Sequence, residues 1–213
     1  MEKKSFEVSL EKNPLIKMSV IPGHFTTSNA HISYYLDVST LKSDARVARD
    51  VAEELALPYM SSTLVDTIVC MEMTEVIGAY LAEELMQGGM TAINGGGVIH
   101  VITPISNNLG HLSFKSSMIK QITNKNVLLL TASVSSGRSL DSALDCIAYY
   151  RGNIAGISAL FLVSPDKQEQ EINALFTSDD IPDYKMYTPR DCEMCKAGKK
   201  LDALISSEGY TKI

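Results

Sequence analysis

Concentrated positive charge, long apolar runs and abundant cysteine are all missing from this sequence. Its 19 Lys and Arg residues are outnumbered by 25 Asp and Glu, for a net charge of −6, and no basic cluster exceeds Lys3-Lys4 or Lys199-Lys200. A nucleic-acid-binding surface needs a concentrated basic face, so nucleic acid is not an expected partner. The longest apolar stretches, around residues 127–130 and 157–163, are strand-sized, so no membrane partner is expected either. The first residues, Met1-Glu2-Lys3-Lys4-Ser5, lack the apolar centre of a signal peptide. Four cysteines, two isolated and two in Cys192-Glu193-Met194-Cys195, do not form the pattern of a disulfide framework. Together these absences point to a cytoplasmic, reduced protein. No internal repeat or low-complexity tract is evident.

What is present suits one globular domain with a small appendage: 213 residues, 45% of them hydrophobic, enough for a real core. Strand-like and helix-like segments alternate, which predicts an α/β fold with a mostly parallel twisted sheet flanked by helices. A helix is expected over residues 43–57, with Ser43 as N-cap and Val47, Val51 and Leu55 on one face. Residues 65–71 read as a buried strand, 75–87 as a helix closed by Gly88-Gly89, and 98–102 as a further strand. Residues 104–117 have no clear period and are expected to form a mobile loop or hairpin. A buried strand over 126–131, a Ser/Gly loop, a helix over 140–150 stopped by Gly152 and a strand over 154–163 make a strand–helix–strand unit. A charged helix ending near Phe176 is expected to lead into a Pro-containing tail.

The chemistry concentrates in that unit. Ser135-Ser136-Gly137-Arg138-Ser139 lies between a buried strand and the first turn of a helix. Backbone N–H groups at a helix start lack intrahelical partners, and the helix dipole adds partial positive charge there. Serine hydroxyls add donors, Gly137 permits close approach of the backbone, and Arg138 adds a full charge. The stretch therefore reads either as a phosphomonoester site or as an ordinary serine-capped helix with a glycine turn.

Residues 127–139, Val-Leu-Leu-Leu-Thr-Ala-Ser-Val-Ser-Ser-Gly-Arg-Ser, resemble the phosphoribosyl-pyrophosphate motif of type I phosphoribosyltransferases: four apolar residues, two acidic, two apolar, then a Thr/Ser-rich glycine loop. Residues 25–37, Phe-Thr-Thr-Ser-Asn-Ala-His-Ile-Ser-Tyr-Tyr-Leu-Asp, are similar to the N-terminal signature of orotate phosphoribosyltransferases. Residues 66–72, Asp-Thr-Ile-Val-Cys-Met-Glu, with Gly78, resemble the pyrophosphate-loop region of adenine and xanthine phosphoribosyltransferases. The resemblance implies a type I phosphoribosyltransferase fold with a small hood: residues 1–40 as N-terminal hood segment, 41–165 as core, and 166–213 as C-terminal helix and Cys-x-x-Cys tail. It implies phosphate binding by Ser135, Ser136, Gly137, Arg138 and Ser139, a ribose and pyrophosphate region at Thr131, Ala132, Glu72, Met73 and Thr74, and a base region at His31, Tyr35 and Asp141. A homodimer is implied, and Mg²⁺ if the protein is catalytic.

The departures fall where the chemistry belongs. The family's acidic pair, which holds the ribose hydroxyls, is replaced by Thr131 and Ala132. The counterpart of the orotate enzymes' basic loop, residues 103–110, has no cation, with His111 and Lys115 just beyond. Thr74 and Glu75 stand where the adenine-type loop has Arg and Gly, so a diphosphate would meet Glu72 and Glu75 without a compensating Arg or Lys. Asp141 occupies the place of a basic residue that holds the orotate carboxylate, which argues against orotate. The expectation is a protein that binds a phosphorylated ribose ligand, a nucleotide or phosphoribosyl pyrophosphate, with weak or no transfer. One alternative is an active enzyme of nucleotide metabolism in which Glu72 and Asp141 supply the missing carboxylates with Mg²⁺. Another is a dimeric interaction scaffold in which side chains fill the cleft.

Outside this region, Cys192 and Cys195 are a weak metal candidate, with no metal site expected. His24, His31, His100 and His111 show no ligand spacing along the chain. Tyr34 and Tyr35 offer a ring for stacking on a planar ligand or for packing. Met71 and Met73 read as core filler, and Asp179-Asp180 as a solvated turn.

Overall fold

The computed structural model describes residues 5–87, 93–107, 110–163, 170–206 and 209–213. Two antiparallel N-terminal strands, β1 (Phe6–Ser9) and β2 (Lys17–Thr26), are followed by β3 (His31–Asp37), the short helix α1 (Ser39–Ser43) and α2 (Ala45–Ala56). The N-cap of α2 is Asp44, not Ser43: its carboxylate accepts from the amides of Arg46 and Val47. Ser43 instead ends α1, where its hydroxyl donates to the Ser39 carbonyl. Strand β4 (Thr67–Cys70) leads to α3 (Glu75–Gln87), as the sequence predicts; its expected Gly88-Gly89 stop lies outside the described residues.

After β5 (His100–Ile102), the aperiodic stretch forms a small hairpin of β6 (Ile105–Ser106) and β7 (Leu112–Ser113), then a 3₁₀ turn over Ser116–Gln121. Next come β8 (Asn126–Val134), α4 (Arg138–Tyr149), β9 (Asn153–Leu162) and β10 (Asn173–Thr177). Phe176 therefore belongs to a strand rather than to the end of a helix. It is buried and pairs with Phe161 across a parallel ladder. The core sheet thus runs past the expected boundary at residue 165. A capped 3₁₀ turn at Ser178–Asp180, β11 (Met186–Tyr187), α5 (Glu193–Lys196), β12 (Ala203–Ser206) and β13 (Gly209–Lys212) complete the chain.

The central sheet is parallel throughout, in the order β10-β9-β8-β4-β5. Both of its faces are covered, so its strands read as continuous apolar runs. Alternation still sorts the side chains. Ile68, Cys70, Leu128, Leu130 and Ala132 face α2, α3 and strand β2. Val69, Val127, Leu129 and Val134 face Leu140, Ala143 and Ile147 of α4. Helix α3 lies so close to β4 that a Cβ on Gly78 would come within 2.4 Å of Cys70 Sγ. A second sheet, β11-β3-β2-β12-β13 with β1 beside β2, joins the two ends of the chain into one hood.

The topology fixes where a ligand can enter. From β4 the chain crosses through α3 to β5 on one side, and from β8 through α4 to β9 on the other. The loops leaving the carboxyl ends of β4 and β8 therefore diverge, and the gap between them is the switch point at which open α/β sheets bind ligands.

Candidate functional site

An open cleft of about 730 Å³ occupies this switch point. Its floor includes Ala132, Ser133, Ser135, Ser136 and Ser139 from the end of β8 and the start of α4, with Glu72 and Met73 from the loop after β4. The hood supplies the opposite wall through residues 27–30, Tyr35 and Ile205. A second opening of about 670 Å³, between the same loops and the β6–β7 hairpin, adds Thr103, Pro104 and Arg138.

The glycine loop joins the end of β8 to the start of α4. Gly137 is the N-cap of α4 with φ +79°, ψ −18°, a left-handed conformation, and no described side chain caps the helix. Ser135, Ser136, Arg138 and Ser139 are exposed around it. Among the described residues the first amides of α4 thus have no side-chain acceptor and can take an external one. Arg138 Nη1 donates to Asn29 Oδ1 at 2.6 Å, linking loop to hood.

The loop after β4 is held in an unusual shape. Glu72 and Met73 have φ +54° and +62°, consecutive left-handed residues without glycine. Such backbone costs on the order of 1–3 kcal/mol per residue and persists where surrounding structure over-determines it. Here the restraints are visible. Glu72 Oε2 accepts from Thr131 Oγ1 at 3.1 Å and from the Ser133 amide at 3.0 Å. Lys42 Nζ donates to the Glu72 carbonyl at 3.0 Å. Glu72 thereby carries a carboxylate to Thr131, one of the two residues that replace the acidic pair, and to the neighbouring Ser133, and it lines both openings.

Several expected residues take other roles. Thr74 is fully buried and lines neither opening; its hydroxyl donates to the Met71 carbonyl at 2.8 Å. Met73 is half exposed at the cleft edge rather than core filler, while Met71 packs partly buried against the α4 side. Asp141 is exposed beside Gly137 and lines neither opening. Tyr35 does line the cleft, at 4.9 Å and a T-shaped angle from Tyr210. Burial, then the nearby Asp37 charge, raises its phenol pKa. Tyr34 packs against Phe6 and Tyr184 instead.

His31, expected in the base region, lines neither opening. Its imidazole turns under the hood, where His24, Cys192 and Cys195 converge with it. Burial, and next the His24 ring, holds its pKa below the usual imidazole value. Sequence reading also missed Lys42, a cation beside the pyrophosphate-type loop. It sits 30 positions before Glu72 in the chain, in α1, and only the fold brings the two together.

No model of a known protein family matches the chain. Its structure is similar to UMP synthase of Leishmania donovani (TM-score 0.55, 17% identity, covering 75% of this chain and 34% of that one). It is also similar to Mycobacterium tuberculosis orotate phosphoribosyltransferase crystallised with Fe(III) dicitrate (TM-score 0.50, 13% identity, 76% and 90% covered). The class is therefore that of the type I phosphoribosyltransferase fold. Within it, the sequence is similar to the orotate phosphoribosyltransferase of Sulfurimonas denitrificans, 24% identical over 197 residues that span 85% of this chain and 90% of the relative.

Proposed function

We propose that the chain is a phosphoribosyltransferase-like protein that binds the 5-phosphate of a ribose ligand, a nucleotide or phosphoribosyl pyrophosphate, on the Ser135-Ser136-Gly137-Arg138-Ser139 loop, with weak or no transfer. The carrying observation is the left-handed Gly137 at the uncapped start of α4, opening onto a cleft at the sheet's switch point. That cleft is not filled by side chains, as a pure scaffold would require. Among the described residues its charged lining is Lys42, Glu72 and Glu75, with Arg138 at the adjoining opening. Two carboxylates beside the expected diphosphate position oppose tight binding of a strongly anionic leaving group. The far wall is apolar, with Ile32, Tyr35, Tyr184 and Ile205, and suits an uncharged planar base better than one bearing a carboxylate. The ligand is carried by a cytoplasmic homodimer.

Calorimetric titration with ribose 5-phosphate, nucleoside monophosphates and phosphoribosyl pyrophosphate tests the proposal. Saturable binding by at least one, lost in Gly137→Asp, is the expected result. Absence of binding by all three to folded protein would overturn it.

One observation favours a second reading, that of an active transferase. Glu72 reaches Thr131 and Ser133, so it can offer a carboxylate to ribose hydroxyls from a different strand than the family's acidic pair. Mg²⁺ is bound through one or two carboxylates plus phosphate oxygens; in this reading Glu72 and Glu75, which line both openings, would hold a magnesium diphosphate, and the ion would neutralise leaving-group charge. Asp141, the other proposed substitute, does not line the cleft. Pyrophosphate release over a panel of bases separates this reading from simple binding.

A further inference from the structure

Four side chains with no part in the phosphate cleft meet at one point beneath the hood. His24 Nε2 lies 3.2 Å from His31 Nδ1, 3.4 Å from Cys192 Sγ and 3.7 Å from Cys195 Sγ, and His31 Nδ1 lies 3.3 Å from Cys195 Sγ. All four atoms fall within 4.8 Å of one another. A zinc ion with Zn–N of about 2.0–2.1 Å and Zn–S of about 2.3 Å in tetrahedral array sets N···N near 3.3 Å and N···S near 3.6 Å. The four spacings of 3.2, 3.4, 3.7 and 3.3 Å lie within about 0.3 Å of that array.

The protonation pattern points the same way. His24 Nδ1 lies 2.8 Å from the Lys199 carbonyl, an acceptor only, so this nitrogen carries the proton. In the neutral ring that a metal ligand requires, His24 Nε2 is then the lone pair, and it faces the three other heteroatoms. A carbonyl partner on the far ring nitrogen is the usual outer support of a metal-bound histidine.

The fold aims these groups from both ends of the chain. Strand β2 breaks register with β3 between Pro22 and Phe25, and this bulge turns the His24 side chain inward. The His24 amide donates to Asp202 Oδ2 at 2.7 Å, and the Asp202 amide donates to the His24 carbonyl at 2.7 Å. Cys192 and Cys195 flank the first turn of α5, which Gly198 ends at φ +73°. His24 and Cys192 are fully buried and His31 nearly so, while Cys195 is exposed.

We infer that His24, His31, Cys192 and Cys195 form a structural zinc site that ties the N-terminal hood strands to the C-terminal tail. Four protein ligands leave no open position, so the ion stabilises and does not catalyse. Tetrahedral S₂N₂ coordination selects zinc among the divalent metals a cell offers. The two histidines bracket residues 27–30, which form the cleft wall, and Asn29 within them holds Arg138. The tail runs on from the cysteines into Ile205 and Ser206 on the same wall. Zinc therefore fixes the roof of the cleft, whatever ligand that cleft takes.

Metal analysis of protein purified without chelator or metal-affinity resin should find one zinc per chain. Replacement by Co²⁺ should give the visible absorption of a tetrahedral thiolate-ligated ion, a readout that needs no variant and no activity. Cys195→Ser, at the surface, should lose most of the metal and lower Tm by on the order of 10 °C, whereas Cys146→Ser should keep it. Folded protein from zinc-supplemented cells with no metal and no cobalt spectrum would overturn the inference. So would a Cys192–Cys195 disulfide in freshly purified, fully stable protein, or metal content unchanged in Cys195→Ser.

Discussion

Replacing Gly137 by Ala perturbs the phosphate loop in the smallest way the structure allows. At φ +79° a residue with a Cβ is strained, while the added methyl would meet nothing nearer than Asp141 Oδ2 at 3.9 Å. The cost is therefore backbone strain alone, about 1–2 kcal/mol. It can appear in two places. If the loop keeps its shape, folding bears the strain, and for a domain of this size Tm falls by about 2–8 °C with affinity retained. If the loop relaxes to negative φ, the amides turn from the ligand and affinity falls about 5- to 30-fold, with Tm little changed. Differential scanning fluorimetry and calorimetric titration with ribose 5-phosphate, run on the same preparations, separate the two. A variant that keeps both its Tm and its affinity would refute the role given to this conformation.

Three further outcomes follow. Glu72→Gln removes a negative charge from the cleft and should strengthen binding of phosphoribosyl pyrophosphate in titration; weaker binding would mean that the carboxylate holds ribose hydroxyls. Gly78→Ala forces a methyl to within 2.4 Å of Cys70 Sγ, and urea denaturation should show a loss of about 1–3 kcal/mol; unchanged stability would contradict the close packing of α3 on β4. Burial pushes the Cys70 thiol from 9.0 up to about 12, so between those values the unfolded chain loses this proton while the folded chain keeps it. Stability should then fall as pH rises above about 9, by at most about 1.4 kcal/mol per pH unit from this group; Cys70→Ala should make that fall shallower in denaturant titrations at pH 9–11.

The core was legible because each of its elements announces itself locally. The strand starting at Asn126, the glycine turn and the helix through Ile147 lie within one short span, and their period and capping chemistry suffice. The Phe176 segment was misread because the charged run before it, residues 166–171 and mostly outside the described residues, pointed to a helix, while the strand itself, Asn173–Thr177, is only five residues long. Ser43 and Asp44 are both good capping residues, and only the break between α1 and α2 decides between them. The site was legible only where it is contiguous. Residues 135–139 could be read directly, but Lys42 beside Glu72 and the histidines beside the Cys-x-x-Cys pair arise from distances of 30 to 171 positions along the chain. Spacing in sequence carries no trace of such pairings.

A crystal structure after soaking with phosphoribosyl pyrophosphate and Mg²⁺ tests the central claim most directly. The account predicts the ligand's 5-phosphate seated on the amides and hydroxyls of residues 135–139 at the start of α4, with its ribose against Ala132 and Glu72. A phosphate bound elsewhere would contradict it, as would a cleft left without ligand here and in the same soaks with ribose 5-phosphate and nucleoside monophosphates.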